Sequence, residues 1–188
     1  KPFENMLFGL VIHSTAIVDH LILDPPSFHL DGSDKHLVPA APRRATGEGH
    51  TGTGPVLRPT NSKLILDHCS LGDYAEPVRG APGYGTPGKI MQASRSELTL
   101  THCLLARARM GPEISGTSLL CSNTWIVEMY GPDDADGCYP HGQSAGQQIL
   151  FTGCVLASGD DDGIDTLGSE VVVEDCILRD WSNRFEDA

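Results

Sequence analysis

Apolar and polar positions alternate in short runs, and one eight-residue phrase occurs six times along the chain. Places one, three, six and eight are nearly all apolar or Cys, and place four is Asp, Thr, Ser or Glu. The copies cover residues 16–23, 64–71, 98–105, 119–126, 149–156 and 171–178. Places one and three point to the same side of a strand, and places six and eight do so again after a two-residue bend. The pattern therefore predicts a strand, a sharp corner and a second strand in every copy.

The corner falls at the fifth place of the phrase. The six copies have His, His, His, Asn, Gly and Asp there. These residues tolerate a left-handed backbone better than most others. We therefore interpret His20, His68 and His102 as stacked corner residues rather than as a catalytic or metal-binding row.

The spacing of the copies indicates a solenoid. The phrases begin 48, 34, 21, 30 and 22 residues apart. The short intervals fit one turn of a parallel β-helix, and the longer ones fit a turn plus an inserted loop. A β-sandwich would also show alternation, but it has no reason to repeat a corner residue in register with a Cys. We predict an all-β fold: a single-stranded parallel β-helix, which is a solenoid with long loop insertions.

The length of 188 residues fits one domain. We expect residues 1–62 to form an irregular N-terminal turn and a long loop, and residues 63–188 to form regular coils. The chain starts abruptly at Lys1 and ends soon after a strand. We therefore expect a fragment of a longer protein, with open ends that something else covers.

The net charge of −12 argues against a nucleic-acid partner, because phosphate binding needs Lys and Arg. No apolar run is long enough to span a membrane. Four cysteines occupy the inward sixth place: Cys69, Cys103, Cys154 and Cys176. A ladder of buried thiols is the favoured interpretation. Disulfides from Cys69 to Cys103 and from Cys154 to Cys176 are the alternative that the turn spacing permits.

Two spacers, 131–141 and 159–165, are rich in Asp. Aligned on Asp-Gly, Asp136 matches Asp162 and Gly137 matches Gly163, at an offset of 26 residues. Equivalent carboxylates would stack on adjacent turns and repel one another unless a cation lies among them. Several hard oxygen ligands on a Gly-bearing loop favour Ca²⁺. The candidate ligands are Asp133, Asp134, Asp136, Asp160, Asp161 and Asp162; the alternative is that Asp and Gly merely form solvated turns.

Other residues near the acidic spacers are candidates for substrate contact. Trp125 occupies the outward seventh place, and Tyr130 and Tyr139 flank the first acidic spacer. Such aromatics can stack on sugar rings or pack beneath a loop. His141 belongs to no repeated place and is a candidate proton shuttle or ligand, although an ordinary surface histidine is the alternative.

The stretch 131–181, and above all the sequence GDDDGIDTLGSEVVVEDCIL at 159–178, resembles the right-handed parallel β-helix repeats of the pectate-lyase-like superfamily. It is similar to repeats in large secreted bacterial proteins that carry spore-coat-kinase-like (CotH) or lamin-tail modules. The similarity covers roughly residues 60–188. It implies a right-handed coil, an extracellular or cell-surface location and a carbohydrate-related role.

The resemblance also implies candidate chemistry. Lyases of this superfamily use an Arg or Lys base beside calcium, and Arg107 and Arg109 are the nearby candidates. Its hydrolases use paired Asp residues as acid and base, a role that Asp160, Asp161 and Asp162 could fill. If the domain is an enzyme, we expect a polysaccharide lyase or a glycoside hydrolase.

We thus expect an extracellular, calcium-binding β-helix domain that binds or processes polysaccharide. The alternative is a structural module of a surface stalk or fibre, which self-associates through uncapped ends and has no catalytic role. A basic residue projecting into the calcium groove would favour the first, and uncapped ends would favour the second.

Overall fold

The protein is all-β in the part that its structure describes. The computed structural model describes residues 57–74, 82, 84–85 and 88–182, preceded by strands at 15–19, 22–23, 28–31 and 36–39. This part contains eighteen strands and no helix, so it includes no apolar helix able to cross a membrane. The strands form three sheets of six strands each.

The sheets are numbered here by the order in which the chain enters them. Sheet I contains β1 (Thr15–Asp19), β6 (Lys63–Asp67), β9 (Glu97–Thr101), β12 (Ser118–Ser122), β15 (Ile149–Thr152) and β17 (Val171–Glu174). Sheet II contains β2 (Ile22–Leu23), β7 (Ser70–Tyr74), β10 (Leu104–Ala108), β13 (Trp125–Met129), β16 (Val155–Gly159) and β18 (Ile177–Trp181). Sheet III contains β3 (Phe28–Asp31), β4 (His36–Pro39), β5 (Leu57–Thr60), β8 (Lys89–Ser94), β11 (Met110–Ser115) and β14 (Tyr139–His141).

Successive phrases lie side by side in register. Their first places pair along sheet I in the order Leu64, Leu98, Leu119, Ile149 and Val171. All recorded strand pairs are parallel except that between β3 and β4, which is antiparallel. The predictions of an all-β fold and of parallel pairing are therefore confirmed.

The first third of the chain contains more strands than the sequence indicated. Strands β3, β4 and β5 lie within residues 24–62, which the phrase pattern assigned to a long spacer. Strand β5 joins sheet III beside β8 and β3. Residues 24–62 thus contribute strands to sheet III, which includes no residue of the repeated phrase.

The predicted corner is present in every described copy of the phrase. The fifth-place residues all have positive φ: His68 (53°), His102 (52°), Asn123 (47°), Gly153 (64°) and Asp175 (52°). His20 lies outside the described residues. A residue in the left-handed conformation changes the direction of the chain at a single position. Each corner therefore leads the chain from sheet I into sheet II.

The inward places of the phrase supply a large part of the interior, and inward residues of sheet III such as Ile90 and Ile114 complete it. Cys69, Cys103, Cys121 and Cys154 are buried, and all six cysteines carry free thiols. The predicted ladder of buried thiols is confirmed for Cys69, Cys103 and Cys154, whereas Cys176 is half-buried; all four thiols are free, so the alternative disulfides are not formed. Burial raises the pKa of the Cys103 thiol, which keeps it protonated and apolar in character.

A column of glycines holds the turns together where sheet II leads into sheet III. A Cβ atom on Gly111 would lie 1.9 Å from the carbonyl oxygen of Gly137, and one on Gly137 would lie 2.5 Å from that of Gly163. Only glycine permits such an approach of backbone to backbone. The column fixes the relative position of the two acidic spacers.

The last described turn is partly plugged by an aromatic side chain. Trp181 packs against the core beside Gly159 and Gly163, and its indole N–H donates to the carbonyl oxygen of Leu156 at 3.1 Å. Val173 and Leu178, at inward places of the same turn, are 42% and 45% exposed. The indole therefore covers part of the interior at this turn.

Candidate metal centre

The two acidic spacers follow consecutive strands of sheet II, and they stack. The first connects β13 to β14 of sheet III, and the second follows β16 on the way to β17 of sheet I. The Gly137 N–H donates to the carbonyl oxygen of Asp162 at 2.8 Å, and the Asp165 N–H donates to that of Cys138 at 3.0 Å. The predicted alignment of Asp136 with Asp162 and of Gly137 with Gly163 is confirmed. Backbone hydrogen bonds, rather than side chains, set this alignment.

Three carboxylates converge where the spacers meet. Asp136, Asp161 and Asp162 each offer an oxygen atom, and these atoms all lie within 4.8 Å of one another. Asp136 is only 3% exposed, Asp161 is half-buried and Asp162 is exposed. The first acidic spacer thus supplies the buried carboxylate, Asp136. The second spacer supplies two carboxylates that reach solvent, Asp161 and Asp162. We call this group the aspartate trio.

The electrostatics of the trio are unfavourable for Asp136. Burial, followed by the charges of Asp161, Asp165 and Asp162, raises the pKa of Asp136 to about 7. The Asp162 N–H, which donates to Asp136 Oδ1 at 3.2 Å, lowers this pKa but does not offset the other effects. A cation placed among the oxygens would remove the repulsion and favour the ionised carboxyl.

Asp160, another predicted ligand, is engaged elsewhere. It is buried, and its Oδ2 accepts hydrogen bonds from the Tyr84 hydroxyl and from the Gly131 N–H at 3.3 Å. Tyr84 lies between β7 and β8, and Gly131 lies in the first acidic spacer, so Asp160 ties both of them to the second acidic spacer. Asp160 therefore anchors loops in the structure.

Asp133 and Asp134 lie at the exposed tip of the first spacer, where Arg109 holds them. The Arg109 guanidinium donates through Nε and Nη2 to the carbonyl oxygen of Asp133, at 3.1 and 2.9 Å. Its Nη2 lies 3.5 Å from the Asp134 carboxylate. Arg109, which was predicted as a catalytic base, thus donates hydrogen bonds to the backbone of the first acidic spacer.

Arg107 and His141, the other predicted catalytic residues, have different partners. The Arg107 guanidinium lies 3.4 Å from the Glu128 carboxylate, and both side chains are largely exposed. Nε2 of His141 lies 3.6 Å from the Glu113 carboxylate. The structure gives Arg107, Arg109 and His141 three separate sets of contacts.

Glu113 forms a polar group on sheet III that the sequence did not predict. It accepts hydrogen bonds from the Lys89 ammonium and from the Gln92 amide at 3.2 Å. Burial raises the pKa of Glu113, but these two donors and the nearby His141 outweigh it, so the pKa is lowered. The carboxylate is therefore committed to neighbours on the same sheet.

The predicted substrate-binding aromatics differ in accessibility. Trp125 is 56% exposed on the outer face of sheet II. Tyr130 is half-buried, and burial raises the pKa of its hydroxyl. The Tyr139 ring lies 5.0 Å from that of His141, at a tilt of 32°. Trp125 is the one of the three with an open face large enough for stacking.

Tyr84 and Asp165 are the contributors to this region that sequence reasoning missed. Asp165 raises the pKa of Asp136. Its place at the end of the Asp-rich spacer 159–165 could have identified it from the sequence. Tyr84 had no such signal, because it reaches Asp160 across 76 residues of sequence.

Comparison of the chain with protein-family models, with curated proteins and with solved structures finds no match.

Proposed function

We propose that this protein is an extracellular or cell-surface right-handed parallel β-helix that binds Ca²⁺ at the aspartate trio and, through it, an acidic polysaccharide. The observation that carries the proposal is the convergence of three carboxylate oxygens within 4.8 Å, one of them on a buried residue. Such a set is costly without a counter-charge. A bound Ca²⁺ would offset the repulsion between the carboxylates, and through it the site would bind the acidic polysaccharide.

The order in which the chain builds its sheets supports the β-helical part of the proposal. From β5 to β16 the chain passes from sheet III to sheet I to sheet II four times, and β17 and β18 then add one more strand to sheets I and II. Each passage adds one parallel strand beside the previous one, as coils of a solenoid do. The stacked left-handed corners supply the same bend at the same place in each turn.

The chemistry of the ligands supports calcium. Ca²⁺ takes six to eight oxygen ligands in flexible geometry, and the trio supplies carboxylate oxygens with two of the three side chains open to solvent. The remaining positions are open to water or to the carboxylate of a uronic-acid sugar. Trp125 offers an exposed aromatic face to a sugar ring, although on sheet II rather than inside the trio.

Calcium titration is the direct test. We expect isothermal calorimetry on chelator-treated protein to show Ca²⁺ binding, and the melting temperature to rise with Ca²⁺ concentration, because a ligand of the folded state stabilises it. Asp162→Asn should weaken both effects strongly, since it removes one of the three negative charges of the trio at an exposed position. Asp133→Asn is the matched control, because Asp133 contacts Arg109 through its backbone oxygen. An equal response of wild type and Asp162→Asn would exclude the trio as the site.

The raised pKa of Asp136 makes a second expectation. Because this pKa is about 7 in the folded protein and about 4 in the unfolded chain, the folded state binds the extra proton between these values. Without Ca²⁺, the free energy of unfolding should therefore fall as pH rises from about 4 to 7 and then level off. Asp136→Asn should remove this decline in urea-unfolding measurements across the same pH range.

Polysaccharide binding is tested by affinity electrophoresis in gels containing pectate, alginate or other uronans, with and without Ca²⁺. Calcium-dependent retardation that Asp162→Asn abolishes is the expected result. Cleavage is tested separately by the ultraviolet absorbance of unsaturated products. Retardation without product would assign binding and no lyase activity, and no retardation by any uronan would contradict the carbohydrate part of the proposal.

A structural module is the second candidate function, and the last turn favours it. Val173 and Leu178 expose apolar surface at inward places, and β17 and β18 are edge strands of their sheets among the described residues. Concentration-dependent association in sedimentation velocity, weakened by Leu178→Lys, would support assembly through this end. A monomer at all concentrations would contradict it.

A further inference from the structure

The repeat alone led us to interpret His68 and His102 as corner residues, but from the structure we propose that they form, together with Asp67, a second metal site for a divalent transition-metal ion such as Zn²⁺. The three residues lie at the corner between sheets I and II in two adjacent turns. We call them the corner triad. The proposal is independent of calcium binding at the aspartate trio.

The geometry brings three ligand atoms together. Asp67 Oδ1 lies 2.9 Å from Nδ1 of His68 and 3.4 Å from Nδ1 of His102. One ligand atom from each residue lies within 4.8 Å of the others. Zinc holds imidazole nitrogen and carboxylate oxygen at about 2.0–2.2 Å, so one ion placed between these atoms would reach all three after small side-chain rotations.

The backbone fixes the triad, and the side chains remain adjustable. Both histidines have the left-handed corner conformation, and the His68 N–H donates to the carbonyl oxygen of Thr101 at 3.0 Å. The imidazole rings stack with centroids 4.6 Å apart. The three side chains are between 41% and 49% exposed, so water could fill the remaining coordination positions.

The ligand set selects the class of ion. Two imidazoles with one carboxylate suit Zn²⁺, Cu²⁺ or Ni²⁺, whereas Ca²⁺ prefers oxygen ligands alone. The aspartate trio offers only oxygens. The aspartate trio should therefore prefer hard cations such as Ca²⁺, and the corner triad should prefer borderline cations such as Zn²⁺.

The corner itself does not require histidine. Asn123, Gly153 and Asp175 make the same corner in later turns, with φ of 47°, 64° and 52°. The residue before the corner is Ser122, Thr152 or Glu174 in those turns. Two stacked imidazoles facing one Asp carboxylate are therefore a combination beyond what the bend demands.

The chain supplies its own test substitution. Because Asn123 occupies the corner in the turn after His102, His68→Asn and His102→Asn should keep the fold while each removes one imidazole. Zn²⁺ is titrated by calorimetry in saturating Ca²⁺ and a non-thiol reductant, so that the aspartate trio is occupied and the thiols stay reduced. We expect wild type to bind Zn²⁺ at the corner triad and each variant to bind it at least tenfold more weakly.

Two controls separate the triad from other groups. Asp175→Asn changes a corner carboxylate in another turn, and His141→Asn removes an imidazole on sheet III; both should leave Zn²⁺ affinity unchanged. In ¹⁵N spectra of the histidine rings, Zn²⁺ should shift the nitrogens that are missing from His68→Asn and His102→Asn. The proposal is overturned if wild type fails to bind Zn²⁺, or if the double variant His68→Asn/His102→Asn binds it as wild type does.

Discussion

The two junctions that follow sheet I and sheet II solve the same problem in opposite ways. From sheet I to sheet II the chain turns at one left-handed residue in each described corner, whether that residue is His102, Asn123 or Gly153. From sheet II to sheet III it uses Arg109 alone between β10 and β11, but nine residues, 130–138, between β13 and β14. The first junction keeps its geometry and varies its residues. The second varies its length, and the carboxylates of the trio are found there.

The variable junction nevertheless contains a strict steric requirement. The Gly111, Gly137 and Gly163 column crosses three turns beside sheet III. The connections after β10, β13 and β16 differ in length, yet each of them reaches this column. Variation in length is thus confined between two fixed points.

The largest effect we expect comes from Gly111→Ala. A methyl group 1.9 Å from the Gly137 carbonyl oxygen would force two turns apart, at a cost of about 3 kcal/mol or more in the free energy of unfolding. Urea unfolding measures it. Gly146→Ala is the control, because a Cβ there meets nothing within 4 Å and has only its φ of +87° to oppose it; about 1–2 kcal/mol is expected. Equal losses would show that the column is not a fixed point.

The next effect tests the regular junction. Thr124 occupies the place after the corner, and its hydroxyl accepts the buried Cys103 N–H at 3.1 Å. Thr124→Val should cost about 1–3 kcal/mol, because it leaves that amide without a partner. Thr124→Ser keeps the hydroxyl and should lose much less in the same unfolding experiment. If the two variants lose equally, packing rather than hydrogen bonding holds this corner.

The smallest effect compares the two arginines that flank Ala108. Arg107 pairs with Glu128 at an exposed position, so Arg107→Gln should change the free energy of unfolding by less than about 0.5 kcal/mol. Arg109 donates two hydrogen bonds to the Asp133 backbone, so Arg109→Gln should cost about 1–2 kcal/mol. The reverse order would show that Arg109 does not hold the acidic spacer in solution.

The regular junction could be predicted because its geometry requires particular residue types. A left-handed corner favours residues such as His, Asn, Gly and Asp, which occupy the fifth place, and the sixth place is Cys or Thr in the described copies. The register of Asp136 with Asp162 was also accessible, because Gly137 and Gly163 mark it in the sequence. These signals repeat, and repetition separates them from chance.

Sheet III could not be predicted in the same way. Its strands β8 and β11 bury adjacent residues, such as Ile90 with Met91, so they lack the alternation that identifies a half-exposed strand. Its corners at Asn61, Arg95 and Gly116 share positive φ but no residue type. The partners of Asp160 and Arg109 were equally hidden, because each contact joins residues from different turns or loops and appears only once.

The tryptophan at the end of the last described turn gives the protein a built-in optical reporter. The chain has two tryptophans: Trp125 lies on the outer face of sheet II, and the Trp181 indole lies against the glycine column. Iodide should quench the first emission and largely spare the second. The fraction of the fluorescence that iodide does not quench would then report, in real time and without any added label, whether the Trp181 indole stays packed against the glycine column.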